Sequence, residues 1–239
     1  MGSPIVRKYG SHAVLMEWES IISPAIHDQV VGTAEFLKEN HVDWILEIVP
    51  SYHSLVVYLK ENVDLERYIG ICQAIKVPIN SGINSNKTWL VPTCYDSSFG
   101  YDLNAVSTSS ELSPETIIKL HSEAQYRIYG MGFLPGFLYL GVLDEQIHTP
   151  RKSVVKQLVP KGSVGIGGKQ TGIYPQKSPG GWNVIGRTPS ELFNPTLKNP
   201  SPFSVGDSIQ FTPISLEEYD EVLTEVQNGN YELKFVSND

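Results

Sequence analysis

The fold is decided by residues 130–189, GMGFLPGFLYLGVLDEQIHTPRKSVVKQLVPKGSVGIGGKQTGIYPQKSPGGWNVIGRTP, which hold twelve of the twenty glycines and six of the sixteen prolines. Because glycine costs conformational entropy on folding, a segment this rich in it needs positive φ or close backbone approach at several points. Short runs of β-forming residues, LVPKGSVGIG and WNVIG, lie between Pro-Gly and Gly-Gly breaks. The segment therefore predicts strands joined by tight turns, as in a small β-barrel, and excludes helices.

Composition limits the class of protein. The chain has 239 residues, 41% of them hydrophobic, which suffices for one large or two small domains, each with its own core. Its formal charge of −8 provides no overall basic field and argues against a nucleic-acid-binding protein. No apolar run approaches the roughly 18 residues of a membrane span, and the N-terminus lacks a signal pattern. Cys72 and Cys94 show no metal-type spacing and predict two reduced thiols, so we expect a cytoplasmic protein.

Residues 1–80 predict a small α+β domain. Two β-rich runs, Pro4–Arg7 and His12–Glu19, precede a helix that starts at Ser23-Pro24 and ends near Asn40. The run DWILEIVPSYHSLVVYLK then predicts a β-hairpin, and Asp64 to Ile75 predicts a second helix. The order ββαββα predicts two helices on one face of an antiparallel sheet.

Residues 77–87, which are polar and carry a proline, a glycine and three asparagines, predict a linker. Beyond it, residues 88–239 predict a mostly-β domain with two peripheral helices. Ser113-Pro114 caps the first of these, which reaches His121, and Ser215 to Val226 forms the second.

The glycine-rich stretch also predicts an anion-binding site. Exposed backbone N–H groups beside fixed cationic side chains favour carboxylate or phosphate. The run SVGIGGKQT nearly matches a phosphate loop, but it lacks the first glycine and the hydroxyl that binds Mg²⁺, which argues against a Walker loop. A less demanding use stays open, in which the glycines let the backbone approach a ligand; the alternative is a solvated turn. The predicted binding residues are Arg151, Gly167, Gly168, Gln170, Thr171 and Tyr174, and the predicted catalytic cations are Lys169 and Arg187.

Two further side chains have open alternatives. His121 ends a predicted helix, where it could cap the helix or act as a general acid or base, and we include it among the predicted catalytic residues. Trp182 follows a stiff Pro-Gly-Gly turn and could belong to the core or stack on a ligand. The chain has no metal-binding motif and no G-x-S-x-G, so we expect neither a metal site nor a hydrolase nucleophile elbow.

Four dense motifs in this order resemble the KipI family, which is also called allophanate hydrolase subunit 1. The runs that carry the resemblance are Gly132–Leu140, Val159–Val164, Gln170–Pro175 and Ser178–Pro189. The resemblance implies a small N-terminal α/β domain followed by a cyclophilin-like β-barrel.

The same resemblance implies a function. It implies a non-autonomous component of a hydrolase that opens 5-oxoproline to L-glutamate at the expense of ATP, with Mg²⁺ and ATP shared among the subunits. The implied partners are a C subunit of related barrel fold and an amidohydrolase-like A subunit. Two other roles occur in the family: inhibition of a sporulation histidine kinase, and the first half of a carboxyltransferase domain in urea-carboxylating enzymes.

Overall fold

The computed structural model describes residues 2–75 and 87–237 of the chain. The chain divides into two compact units, residues 1–85 and 86–239. The predicted linker, 77–87, lies outside the described residues except for Lys87, which begins a strand of the second unit.

The first unit contains four strands and two helices: β1 (Ile5–Tyr9), β2 (Ala13–Glu17), α1 (Pro24–Asn40), β3 (Ile45–Ser51), β4 (Ser54–Leu59) and α2 (Leu65–Ala74). The strands form an antiparallel sheet in the order β1-β2-β4-β3. Helix α1 packs against β3 and β4, and α2 packs against β1 and β2.

Local chemistry sets where these two helices begin. Pro24 occupies the first turn of α1, where its missing N–H costs no hydrogen bond. The Asp64 carboxylate accepts hydrogen bonds from the Glu66 and Arg67 backbone N–H groups and so caps α2. The buried faces of the helices meet a core that includes Leu37, Leu55 and Tyr68.

The second unit is built mainly of strands, with three helices. Its elements are β5 (Lys87–Cys94), α3 (Leu103–Ser110), α4 (Pro114–Glu123), β6 (Gln125–Met131), β7 (Leu138–Gly141), a 3₁₀ turn (Glu145–Ile147), β8 (Lys156–Val159), β9 (Ser163–Gly167), β10 (Gln170–Ile173), β11 (Ser178–Gly180), β12 (Asn183–Arg187), β13 (Ser208–Ile214), α5 (Leu216–Gln227) and β14 (Lys234–Ser237).

Seven of these strands close into a mixed barrel. They follow the order β6-β13-β5-β12-β9-β10-β7, and β7 pairs again with β6 to complete the ring. The β13–β5 pair is parallel, from Ser208↔Thr88 to Ile214↔Cys94, and the other ring pairs are antiparallel. The barrel core is aliphatic and aromatic, and it includes Ile128, Leu140 and Ile166, each fully buried. Strands β8 and β11 pair with each other as a separate two-stranded sheet.

Helix α3 corrects the expectation of two peripheral helices in this unit. Ser and Thr fill four of its eight positions, and these residues favour caps and turns over helix interiors because their hydroxyls compete for backbone hydrogen bonds. The helix forms because Leu103 and Val106 enter the barrel core. Tertiary packing thus overrides a weak local propensity.

Two expectations from composition can be compared with the structure. Cys72 and Cys94 are both buried free thiols, as predicted. Within the described part of the chain, no helix has the length and apolar character needed to cross a bilayer.

Candidate functional site

A hollow with a volume of about 190 Å³ lies in the barrel unit. The aromatic side chains Phe133, Phe137, Tyr139, Tyr174 and Trp182 line it, together with Arg151, Lys152, Val155 and the turn of residues 179–181. The hollow lies within the glycine-rich stretch that predicted the ligand site. It is therefore the candidate functional site.

Edge-to-face contacts around Phe137 fix the aromatic wall. Its ring centroid lies 4.9 Å from that of Tyr139, 5.5 Å from that of Tyr174 and 5.6 Å from that of Trp182. Such contacts match the positive edge of one ring with the negative face of another. Phe137, Tyr174 and Trp182 are buried, so these three rings of the wall belong to the packed structure.

Two glycines support this wall by their lack of a side chain. A Cβ on Gly167 would lie 2.5 to 2.6 Å from atoms of the Trp182 indole, and a Cβ on Gly180 would overlap the Tyr174 phenol. Both glycines are therefore required by close approach of an aromatic ring. Gly167, predicted as a ligand contact, is placed behind Trp182, where it serves packing.

Two neighbouring cations stand at the hollow. The Arg151 guanidinium lies 5.6 Å from the centroid of the Trp182 ring, within the range of a cation–π contact. The Lys152 ammonium forms an ion pair with Asp102 and lies 5.7 Å from the centroid of the Tyr101 ring. Arg151 is exposed, and it takes part in none of the ion pairs between described residues.

The phenol of Tyr174 is a neutral wall group. Burial raises its pKa above the ordinary value, and a backbone hydrogen bond at Trp182 and the charge of Arg151 oppose that rise. The phenol therefore keeps its proton at neutral pH and can donate a hydrogen bond. Trp182, for which core and ligand-stacking roles were both open, is at once buried and part of the lining.

Of the predicted site residues, the structure brings Arg151 and Tyr174 together at the hollow. Gly168, Lys169 and Gln170 lie at the β9–β10 turn, and none of them lines it. Gly168 has φ +67°, and its N–H donates to the Thr149 carbonyl, so the glycine serves the turn.

Arg187 lies at a different place in the barrel unit. Its guanidinium stands 4.6 Å from the centroid of the Phe99 ring, and its charge lowers the pKa of Tyr219, which burial raises. It ends β12 opposite Cys94 and Ser163 and does not line the hollow.

His121 and Thr171 lie inside the barrel. His121 is fully buried, its Nδ1 is 2.7 Å from the Tyr95 hydroxyl, and its Nε2 is 2.8 Å from the Thr171 hydroxyl. The Thr171 hydroxyl also donates to the Gly165 carbonyl, so the neutral ring donates from Nε2 and accepts at Nδ1. Burial lowers the pKa of His121 to about 3. These contacts place both side chains in a buried polar network away from the hollow.

Sequence reasoning missed Lys152 and Asp102. The sequence Pro150-Arg151-Lys152 could have predicted Lys152 as a site residue, because a loop that positions one side chain also positions the next. Asp102 carries no such signal, since the chain brings it to Lys152 from fifty positions earlier. In the described residues no group of three or more His, Cys, Asp or Glu side chains is arranged to hold a metal ion.

Comparison with known proteins gives the family. Residues 4–203 match the model of the carboxyltransferase domain, subdomain C and D. The chain is 33% identical over 229 residues to the B subunit of 5-oxoprolinase from Bacillus subtilis (strain 168), and the match covers 90% of this chain and 94% of that protein. It is 35% identical over 212 residues to the B subunit of 5-oxoprolinase from Escherichia coli O157:H7, at 85% and 93% coverage.

Solved structures show the same fold in longer chains. The crystal structure of TTHA0988 superimposes with a TM-score of 0.76 and 27% identity, covering 88% of this chain and 40% of that one. The Kluyveromyces lactis urea amidolyase superimposes with a TM-score of 0.77 over 98% of this chain and 16% of that one. At 16% identity this second likeness concerns the fold alone. The chain belongs to the family of the carboxyltransferase domain, subdomain C and D, and its curated relatives at 33% to 38% identity are named as the B subunit of 5-oxoprolinase.

Proposed function

We propose that this chain is the B subunit of an ATP-dependent 5-oxoprolinase, which opens the lactam ring of 5-oxo-L-proline to L-glutamate. The observation that carries the proposal is the set of curated relatives of that name, matched at 33% and 35% identity over most of both chains. The alternative role as a histidine-kinase inhibitor rests on family resemblance alone.

The chemistry explains why ATP is needed. A lactam carbonyl is a poor electrophile, and transfer of the γ-phosphoryl group to its oxygen makes the carbonyl carbon electrophilic. Water then adds to this carbon, the ring C–N bond breaks as the nitrogen takes a proton, and a second water releases phosphate from the resulting acyl phosphate. The products are glutamate, ADP and phosphate.

In this reaction the hollow would hold the small ring. The aromatic wall offers flat apolar faces to a lactam, the Tyr174 hydroxyl can donate to its oxygen, and the Arg151 guanidinium can bind its carboxylate. Of the predicted residues, the proposal rests on Arg151 and Tyr174, since His121, Lys169 and Arg187 lie off the hollow.

The nucleotide does not fit this hollow. The hollow has a volume of about 190 Å³, whereas pockets for drug-sized ligands begin at roughly 300 Å³. Its two cations, one of which is paired with Asp102, do not match the charge of a triphosphate. We therefore place ATP and its Mg²⁺ at a site that the A and C subunits complete. The two free thiols support the cytoplasm as the proposed compartment.

The rim of the hollow supports the need for a partner. Phe133 and Val155, which line the hollow, are 69% and 55% exposed, and Val154, the neighbour of Val155 in the chain, is 80% exposed. Exposed apolar side chains close together are typical of contact surfaces. We propose that one of the partner subunits covers this rim. A related structure carries the equivalent of this chain as 40% of a longer polypeptide, so further chain accompanies the fold there.

The test is reconstitution with the A and C subunits. We expect oxoproline-dependent release of ADP from the complex and little turnover by the isolated chain. Arg151→Met should reduce kcat/KM at least about tenfold, because it removes a charged hydrogen-bond donor. The matched control is Lys161→Met, whose ammonium pairs with Glu191 at the surface. A complex that hydrolyses no ATP in response to 5-oxoproline would refute the proposed function.

A further inference from the structure

Asp102 is held in place by three contacts at one edge of the hollow. Its backbone N–H donates to the Val184 carbonyl over 2.9 Å, and its Oδ2 accepts from the Val184 N–H over 2.8 Å. Its other oxygen, Oδ1, forms the ion pair with the Lys152 ammonium. Because both oxygens and the backbone are engaged, the carboxylate has a single position.

Lys152 is anchored at both ends. Its backbone N–H donates to the Gly181 carbonyl over 2.8 Å, and its ammonium is held between Asp102 and the face of the Tyr101 ring. The side chains of Lys152 and Asp102 are only 28% and 12% exposed, so solvent screens this pair less than a surface ion pair. An ammonium has three donors, and Asp102 uses one of them. Lys152 lines the hollow, so a ligand there is within reach of the remaining donors.

Among the side chains that the structure describes, the charges at the hollow add up to one net positive charge. Arg151 and Lys152 are the cations among its described lining residues, which include no carboxylate, and Asp102 neutralises one of these cations through the ion pair with Lys152. A neutral ligand would leave this charge uncompensated. A dianion would bring one negative charge more than the site can match.

We propose that Asp102 is a positioning residue, which fixes the Lys152 ammonium at the hollow and makes the site selective for a small organic monoanion. The ligand class is a flat monocarboxylate ring, which matches the aromatic wall and the single net charge. This inference deepens the proposed function and rests on it for the identity of the substrate.

The experiment changes the charge of the site one step at a time. Asp102→Asn raises the net charge from +1 to +2, Lys152→Met lowers it to zero, and the double variant returns it to +1. The probes are 5-oxoproline as monoanion, pyrrolidin-2-one as the neutral lactam and glutarate as a dianion. Their dissociation constants are measured on the isolated chain by calorimetry, and their inhibition constants on the reconstituted complex.

Three shifts are expected in the relative affinities. In Asp102→Asn the affinity for glutarate relative to 5-oxoproline should rise about tenfold over that of wild type, which is the size of a one-charge change at a partly screened site. Lys152→Met should reduce the preference for 5-oxoproline over pyrrolidin-2-one by about tenfold. The double variant should restore both preferences, although binding stays weaker because the fixed ammonium is gone. A merely structural ion pair would alter the melting temperature and leave these ratios unchanged.

Unchanged ratios in both folded single variants, or absence of probe binding to both chain and complex, would overturn the inference. The two proposals can fail separately. If the complex has oxoprolinase activity but the affinity ratios of the charge variants equal those of wild type, only the role of Asp102 is rejected. A chain that binds 5-oxoproline with the expected ratios, in a complex without that activity, rejects the proposed function alone.

Discussion

Replacement of the buried His121 should remove a defined part of the acid sensitivity of the barrel unit. In the folded chain the pKa of this imidazole is about 3, because burial disfavours its charged form, whereas a histidine in the unfolded chain titrates near 6.5. Below pH 6.5 the unfolded chain therefore binds a proton that the folded chain does not bind. Stability from this group is complete above pH 6.5 and falls as the pH falls towards 3.

The magnitude follows from the shift. Each pH unit between the two pKa values costs about 1.4 kcal/mol, so this one side chain accounts for about 2 kcal/mol of the stability lost between pH 7 and pH 5. Burial explains the cost, because the charged ring would lie beside Phe211 without water, and protonation of Nδ1 would also remove the acceptor of the Tyr95 hydroxyl. His121→Gln should be less stable than wild type at pH 7, yet lose about 2 kcal/mol less on going to pH 5.

Amide hydrogen exchange in β9 and β10, corrected for the intrinsic rate at each pH, measures the opening free energy of the barrel unit. The control is His12→Gln, because His12 is an exposed residue of the first unit and is not part of the barrel core. We expect this control to keep the wild-type pH dependence. If wild type and His121→Gln lose the same free energy between pH 7 and pH 5, the assignment of His121 as a neutral core residue is refuted.

Three further predictions concern stability, and chemical denaturation checks each of them. Gly180→Ala should lower the free energy of unfolding by about 1–3 kcal/mol, because the added Cβ overlaps the Tyr174 side chain. Gly181→Ala, whose Cβ meets only ordinary van der Waals contacts, should leave the stability unchanged. Equal losses of stability in the two variants would contradict this prediction. Asp207→Ala should cost about 2–3 kcal/mol because its Oδ2 accepts from the Trp89 indole and the Ser204 N–H, and a change below about 0.5 kcal/mol would contradict it. Leu140→Ala should cost about 2–5 kcal/mol by leaving a cavity in the barrel, against about 0.5 or less for the exposed Leu197→Ala; similar costs would contradict the burial argument.

Local sequence signals were sufficient for most elements of the fold. Ser-Pro pairs placed the starts of α1 and α4, because proline fits the first turn of both helices, and in α4 the Ser113 hydroxyl also accepts from the Thr116 N–H. The dense glycines of residues 130–189 predicted the strands of that segment, because tight turns and close contacts with aromatic rings both require glycine. Helix α3 was missed because its stability comes from Leu103 and Val106 in a core that distant strands build.

Lining residues of the hollow were predictable only where one segment supplies them. Arg151 and Tyr174 come from the glycine-rich stretch, and both line the hollow. Lys169 and Arg187 belong to the same stretch, but strand pairing directs them elsewhere, and no local pattern reveals the direction of a side chain at a turn. The placement of His121 depends on Tyr95, which directly follows β5, and on Phe211, which lies in β13.

The parallel pairing of β5 with β13 has a consequence for synthesis on the ribosome. Strand β13 fills the gap between β5 and β6, which were made more than seventy residues earlier, so the ring stays open until Ser208–Ile214 has left the exit tunnel. During that interval the nascent chain carries two unpaired strand edges, which invite association with other chains. A stop codon before residue 208 should therefore yield an insoluble product, whereas a stop after α5 should leave the ring complete.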